Sequence, residues 1–269
     1  MTLPPSLQPW FPFKEADGRR GPGRVSLVCF PCAGAGASGY CSWSRLLPDV
    51  VDLWSLQLPG RESRTAEEPF TDLGELVEHL GPLLAPQLSR PFVLLGHSLG
   101  ARIAFEMSRW LRNSGWPAPE LLVVAAANAP SCDGHHVIHH LPDQEFLQSV
   151  RAYDGLSPAV LARPQLLQMV LPALRADFQM FETYQYRPEA PLECAIVACG
   201  GEADRYVGTR GLQDWGTQTS RTFKTLMFPG GHFFMQVARE SFIREMLGWL
   251  THSVDHNPAR TPLWAVEKK

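Results

Sequence analysis

Short runs of apolar residues recur along the chain, and longer stretches with helical periodicity separate them. The runs fall at residues 25–30, 53–58, 92–95, 121–127, 195–199 and 222–228. Most of these runs are continuous rather than alternating, which is typical of strands buried on both faces of a parallel sheet. The alternation of strands and helices predicts an α/β fold with a mostly parallel, doubly wound sheet, flanked by helices with right-handed crossovers.

The stretches between the runs carry apolar residues at helical spacing. The residues at 73–84 follow the i, i+3, i+4 pattern, and Thr71 and Asp72 before them are suited to cap a helix. Pro82 and Pro86 are expected to kink or end that helix. Further helices are predicted from 98 to 113 and from 240 to 250.

One segment breaks this alternation. About 65 residues between the fourth and fifth runs carry no strand pattern, and from Pro142 onward they are helical in character. An insertion of this length in an α/β fold is more often functional than decorative. We interpret residues 129–192 as a helical lid over the active site, and a helical cap without gating motion explains the pattern equally well.

The composition limits the class of protein. The chain has 269 residues, and 45% of them are hydrophobic, which is enough for a core without disulfides or a metal. We expect a single domain over 1–269 with loose ends at 1–23 and 254–269. A net charge of −3 does not support a nucleic-acid-binding surface. No apolar run approaches the ~20 residues of a membrane span and no secretory signal pattern is present, so we expect a cytoplasmic protein with reduced cysteines.

The strongest chemical signal is GHSLG at 96–100, which follows a predicted strand and opens a predicted helix. This G-x-S-x-G pattern is typical of a nucleophile elbow. The turn in such an elbow is so tight that only glycines fit on either side, and the serine then projects from the end of the sheet. We therefore predict Ser98 as a nucleophile.

A serine nucleophile needs a base, and the base needs an acid that orients it. His232 follows the last predicted strand and precedes the last helix, so it is the best placed histidine. Asp204 follows the fifth run at the edge of the sheet where catalytic groups collect, and it is the preferred acid. Asp133, after the fourth run, is the main alternative, and Glu202 is a weaker one.

The turn after the first strand, CFPCAGAG at 29–36, is expected to supply part of an oxyanion hole. Its small residues let the backbone approach a substrate carbonyl, and we predict that the N–H of Ala33 acts together with that of Leu99. The glycines of this turn also match a G-x-G-x-x-G nucleotide loop. No acidic residue ends the next strand, which weakens that interpretation.

Two further patterns are weaker. Cys29 and Cys32 form a C-x-x-C motif, but Cys29 lies inside an apolar run rather than at the start of a helix, as a redox motif would require. The histidines at 135, 136, 139 and 140 could suggest a metal, yet they lack matching ligands other than Asp133. We expect a solvated loop there, and neither a metal nor a cofactor.

Taken together, these motifs resemble those of a type II thioesterase, the free-standing editing enzyme of polyketide synthase and nonribosomal peptide synthetase pathways. The resemblance covers roughly residues 25–250. It rests on CFPCAGAGAS at 29–38, LQLPGRESR at 56–64, PFVLLGHSLGA at 91–101, LRADFQMFETY at 174–184, CGGEAD at 199–204 and FPGGHFF at 228–234. One departure is Cys32, because family members usually carry His, Tyr or Trp there, and Leu99 stands where Met is commoner.

The resemblance implies an α/β-hydrolase fold with a helical lid. It also implies that Ser98, Asp204 and His232 form a triad that removes acyl groups from the phosphopantetheine thiol of carrier proteins. An esterase or lipase acting on oxygen esters, and a non-catalytic module that binds carrier proteins, are the competing hypotheses. Because carrier proteins are usually acidic, Arg61 and Arg64 are possible docking contacts.

The predicted lid helices carry more apolar side chains than a peripheral helix pair needs. Met and Phe side chains suit an adaptable wall, so we predict that Met169 and Phe178 line a channel for the acyl chain.

Overall fold

The computed structural model of the chain describes residues 3–14, 25–88, 91–132, 137–152 and 163–255. Within these residues, the strands form one six-stranded, fully parallel sheet with the order β2-β1-β3-β4-β5-β6. The strands are β1 (Val25–Phe30), β2 (Val51–Ser55), β3 (Phe92–His97), β4 (Leu121–Ala125), β5 (Ala195–Gly201) and β6 (Phe223–Phe228). The predicted doubly wound α/β architecture is confirmed.

Both faces of the sheet are buried, as the continuous apolar runs predict. Successive side chains of a strand point to opposite faces. In β1, Val28 and Phe30 therefore belong to one large apolar cluster and Leu27 and Cys29 to the other. Every residue of β1, β3, β4 and β5 is buried.

The second strand begins earlier than predicted. It runs from Val51 rather than from 53, and the buried residues Leu56 and Leu58 lie beyond its end. The sequence pattern missed the start because Asp52 interrupts the apolar run. The Asp52 carboxylate accepts a hydrogen bond from Trp54 Nε1 at 3.0 Å and pairs with Lys14.

The helices are α1 (Leu73–Leu84), α2 (Leu99–Asn113), α3 (Asp143–Ala152), α4 (Pro164–Thr183), α5 (Thr209–Gln213), α6 (Phe234–Val237) and α7 (Arg239–Asp255). Asp72 caps α1, since its side chain accepts a hydrogen bond from Glu75 N at 2.9 Å. The helix continues past Pro82 and ends two residues later at Leu84. None of the described helices is long and apolar enough to cross a membrane.

The N-terminal segment corrects one expectation. Within the predicted loose end 1–23, residues 3–14 pack against the core, and Leu7, Trp10 and Phe11 are buried. Trp10 O accepts a hydrogen bond from Gln57 N at 2.7 Å, so the segment is held beside the end of β2. At the other end, α7 continues to Asp255, and the remainder of the predicted loose end lies outside the described residues.

The predicted insertion between β4 and β5 contains α3 and α4. It has a small apolar cluster of its own, formed by Ile138, Phe146, Val150 and Leu174. A buried carboxylate also ties its start to α4, because Glu182 accepts hydrogen bonds from the backbone N–H groups of Ile138 and His139 at 2.9 and 3.0 Å. The insertion is therefore a packed layer, and its role as a moving lid stays a prediction.

Candidate active site

The turn between β3 and α2 holds Ser98 in a conformation that its neighbours enforce. Ser98 has φ 55° and ψ −114°, a region that L-residues rarely adopt. A Cβ on Gly96 would lie 2.1 Å from Gly100 O, and a Cβ on Gly100 would lie 2.1 Å from Phe30 O. The backbone can therefore pass through this turn only with glycine at both positions.

The structure brings Ser98, His232 and Asp204 together at the carboxyl edge of the sheet. His232 Nε2 lies 3.0 Å from Ser98 Oγ, and His232 Nδ1 lies 2.9 Å from Asp204 Oδ2. His232 lies in the loop after β6, and Asp204 follows β5. Because parallel strands end at the same edge, three loops far apart in sequence deliver a serine, an imidazole and a carboxylate to one point.

The surroundings of Asp204 keep it ionised. The side chain is fully buried, and burial alone would raise the pKa of its carboxyl group. The hydrogen bond from His232 and the backbone N–H groups of Tyr206 and Val207, at 2.9 and 3.2 Å, outweigh burial and hold the pKa below its ordinary value. Of the two alternative acids, Glu202 is exposed, and Asp133 lies outside the described residues.

His97 also contributes to the site, and the sequence analysis did not identify it. Its Nε2 donates a hydrogen bond to the backbone carbonyl of His232 at 2.9 Å. Burial, with the nearby His232, lowers the pKa of His97 to about 3, so the ring is neutral at ordinary pH. A neutral ring bonded to a carbonyl carries its proton on Nε2, which holds the backbone of His232 in place. The sequence signal for His97 is its position directly before Ser98, which the G-x-S-x-G pattern leaves unspecified.

Two backbone N–H groups at this edge suit an oxyanion hole. Leu99 is the first residue of α2, where the N–H groups have no acceptor within the helix. Ala33 lies in the turn after β1, and among the described residues its N–H donates to no backbone carbonyl. The glycines of the same turn do not make a phosphate loop. A Cβ on Gly36 would lie 2.4 Å from the Glu62 carboxylate, so an acidic side chain already packs against the loop.

The predicted channel residues occupy different places on α4. Met169 is 58% exposed, whereas Phe178 is half-buried and its ring meets that of Phe146 edge to face at 5.5 Å. The two residues are nine positions apart, which at 3.6 residues per turn places them on opposite faces of the helix. The two side chains therefore cannot line one wall together. The exposed position of Met169 does not fit a wall residue, and the role of Phe178 stays a prediction.

The two arginines named as possible docking contacts are buried. Arg61 and Arg64 are 6% and 7% exposed, so neither presents its charge to an acidic carrier protein in this structure. Arg64 donates hydrogen bonds to Gln57 O at 3.0 Å and to the Glu67 carboxylate. Arg61 pairs with Asp177 of α4. Each guanidinium therefore forms an ion pair with a carboxylate of this chain.

The structure describes the cysteine pattern in full and the histidine pattern in part. Cys29 is buried in β1, and burial raises the pKa of its thiol, whereas redox cysteines have lowered values. The described part of the chain holds no group of His, Cys, Asp or Glu suited to a metal. His139 pairs with Glu182 instead, and His135 and His136 lie outside the described residues.

Comparison with known proteins assigns the chain to a family. The model of the thioesterase domain family matches residues 25–250. The gramicidin S biosynthesis protein GrsT of Aneurinibacillus migulanus is 37% identical over 247 residues, which cover 91% of this chain and 95% of GrsT. The thioesterase PikA5 of Streptomyces venezuelae is 38% identical over 213 residues, covering 78% of this chain and 75% of PikA5.

A solved structure extends the agreement to the fold. The type II thioesterase BorB from the borrelidin biosynthetic cluster has a TM-score of 0.79 and 35% identity, covering 86% of this chain and 94% of BorB. The family match at 25–250 spans all six strands of the sheet and the insertion between β4 and β5. The chain therefore belongs to the thioesterase family and, within it, to the type II thioesterases, serine hydrolases of the α/β-hydrolase fold that act on thioesters.

Proposed function

We propose that the protein hydrolyses the thioester between an acyl group and the phosphopantetheine arm of an acyl or peptidyl carrier protein, and so clears stalled or misprimed carriers. The observation that carries the proposal is the continuous hydrogen-bonded series from Asp204 through His232 to Ser98. It is supported by the family, since the chain belongs to the thioesterase family.

In the first half of the proposed reaction, His232 Nε2 takes the proton of Ser98 as Oγ attacks the thioester carbonyl. The carbonyl oxygen becomes an oxyanion, which the N–H groups of Ala33 and Leu99 stabilise. Each donor of this kind is worth ~3 kcal/mol of barrier. Asp204, which stays ionised, stabilises the imidazolium that forms. The carbon–sulfur bond then breaks, and His232 returns the proton to the departing thiolate.

In the second half, water hydrolyses the acyl ester on Ser98. His232 removes a proton from the water as it attacks, a second oxyanion forms in the same hole, and Ser98 leaves with the proton from His232. A thiolate is a good leaving group, so this site needs no group to protonate a leaving amine. The proposed steps use no metal and no cofactor.

The relatives support the proposed partner. GrsT is by name a gramicidin S biosynthesis protein, and BorB is by title a type II thioesterase of a biosynthetic cluster. Proteins of such pathways build their products on carrier proteins, so a carrier bearing phosphopantetheine is the substrate that this chemistry fits.

Intact-protein mass spectrometry tests the proposal. A panel of carrier proteins loaded with different acyl groups is treated with the wild-type protein or with Ser98→Ala, and the loss of the acyl mass is followed. We expect deacylation by the wild type alone, with higher kcat/KM on acyl carriers than on simple oxygen esters of the same acids. A preference for oxygen esters would indicate an esterase. No hydrolysis, and no labelling of Ser98 by a fluorophosphonate, would indicate a module that only binds carriers.

A further inference from the structure

Two of the sequence motifs that have no place in the triad meet in the structure. Arg61 lies in the loop after β2, and Asp177 lies on α4, in the insertion. Their side chains form a two-pronged ion pair, with Nη1 to Oδ2 at 2.5 Å and Nη2 to Oδ1 at 2.7 Å. The pair bridges 116 residues of sequence, and the two side chains are 7% and 0% exposed.

The same carboxylate also contacts the turn that carries Ala33. Asp177 Oδ2 accepts a hydrogen bond from Gly34 N at 2.7 Å, and Arg61 Nη1 donates one to Ala35 O at 3.3 Å. The N–H of Gly34 belongs to the peptide group that follows Ala33. Because a peptide group is planar, a hydrogen bond that fixes this N–H also restricts rotation about the Cα–C bond of Ala33. The peptide group that carries the Ala33 N–H is held by its own carbonyl, since Cys32 O accepts a hydrogen bond from Ala35 N at 3.1 Å.

Packing against α4 also holds this turn. Gly34 has φ +74°, in the left-handed region, and a Cβ there would lie 2.7 Å from Leu174 Cδ1 of α4. Ala33 itself packs against the apolar cluster of the insertion. The orientation of this turn therefore depends on α4, and not only on the strand that precedes it.

We propose that Asp177 is a positioning residue for the oxyanion hole: its carboxylate fixes the peptide after Ala33, and Arg61 orients and neutralises that carboxylate. This inference rests on the proposed function, since it assigns a role in the same reaction. It makes the insertion a structural part of the reacting site.

The charges of the pair explain why Asp177 needs Arg61 beside it. A buried carboxylate beside the turn would by itself oppose the negative oxyanion that develops there. Its charge already acts on Cys32, where burial first and Asp177 second raise the pKa of the thiol to about 12. Arg61 cancels this charge. Removing one member of a buried pair leaves the other charge uncompensated, so single changes are expected to cost more than the double change.

The test compares Asp177→Asn, Arg61→Gln and the double variant, with Arg175→Gln as a matched control. Arg175 also lies on α4 and pairs with Asp143, but its hydrogen bonds go to the insertion and not to the turn. For each variant, kcat and KM are measured on an acyl-pantetheine thioester. The inhibition constant of a trifluoromethyl ketone is measured as well, because its adduct with Ser98 places an oxyanion in the hole. The melting temperature reports the fold.

We expect Asp177→Asn to lower kcat and the affinity for the ketone by a similar factor of about 10 to 100, with little change in KM. This is somewhat less than the loss of a whole oxyanion donor. Arg61→Gln should behave likewise, the double variant should recover part of the loss, and Arg175→Gln should leave kcat and ketone affinity at the wild-type level. A lower melting temperature with unchanged kcat and ketone affinity per folded molecule would overturn the inference, because Asp177 would then only stabilise the fold.

If Asp177→Asn does not fold, Arg61→Lys tests the same inference. Lysine keeps the charge but not the two-pronged geometry. We expect a folded protein with reduced kcat and reduced ketone affinity, whereas wild-type values would contradict the inference. Failure of the proposed function looks different, because the wild type itself would then turn over no acyl thioester.

Discussion

The two halves of the oxyanion hole are built in different ways. The N–H of Leu99 is held by the turn at 96–100, where the enforcing contacts come from α2 and from the end of β1 with Pro31 directly after it. The N–H of Ala33 lies in a turn whose contacts come from far along the chain, from Asp177 at a separation of 143 residues from Gly34. One half is therefore a local structure, and the other depends on tertiary packing.

This difference matters for function because the nucleophile and its nearest donor need only the sheet and α2. The second donor needs the insertion as well. Changes in the insertion can therefore alter the reacting site without touching the triad. The following predictions separate the two halves, and they begin with the change that stops the reaction altogether.

Ser98→Ala should lower kcat by about 10⁶-fold, as the loss of a triad serine does in other hydrolases. The fold should be retained, because the elbow depends on Gly96 and Gly100 and not on the serine side chain. Hydrolysis of a carrier-bound acyl group measures the loss, and circular dichroism checks the fold. Turnover near the wild-type rate would place the nucleophile elsewhere.

Asp204→Asn should lower kcat by about 10⁴-fold, because an amide cannot stabilise the imidazolium of His232 and favours the wrong tautomer. Glu202→Gln is the matched control, since Glu202 is exposed and the carboxylate that bonds His232 Nδ1 is that of Asp204. Its kcat/KM should match the wild type. If Asp133→Asn proved more damaging than Asp204→Asn, the assignment of the acid would be wrong.

The sequence predicts the triad and both donors, Ala33 and Leu99, but not the distant contacts that hold the turn of Ala33. Ser98, Asp204 and His232 each follow a run of apolar residues that ends at the same sheet edge, so strand order and turn chemistry bring them together without knowledge of distant contacts. The fold class follows from the same runs. For each of these residues, the apolar run that predicts its position lies within a few residues of it in the sequence.

The features that the sequence did not predict are contacts between distant segments. Arg61 looked like a docking cation because arginines are usually exposed, and nothing near it indicates a partner 116 residues away. Trp10 and Phe11 looked like part of a loose end, because a short Pro-rich segment has no period that would show its packing on the core. Such pairings follow from the tertiary structure alone.

Phe178→Trp tests whether the distant half also shapes the acyl site. Phe178 and Ala33 both pack against the apolar cluster of the insertion, so a larger ring at position 178 should narrow the space beside the turn. We expect kcat/KM to fall more for long acyl chains than for acetyl or propionyl. The difference corresponds to roughly 1–3 kcal/mol of activation free energy, the range for a change in pocket size. Met169→Trp, at an exposed position of the same helix, should show no such dependence on chain length. Equal losses for all chains with Phe178→Trp would mean that this ring only packs the insertion.

Cys32→Ala should have the smallest effect, and it tests whether the oxyanion turn acts through its backbone. The pKa of the Cys32 thiol is raised to about 12, by burial and by Asp177, so the thiolate is scarce at neutral pH and the side chain is a poor nucleophile. Since the contacts that hold the turn come from Gly34 and Ala35, removing the thiol leaves them in place. We expect kcat/KM within about three-fold of the wild type, a change of under 1 kcal/mol, and slow alkylation of Cys32 by iodoacetamide. A large fall in kcat with an unchanged KM would instead assign the side chain of Cys32 a direct part in the reaction, and the turn would then not act through its backbone alone.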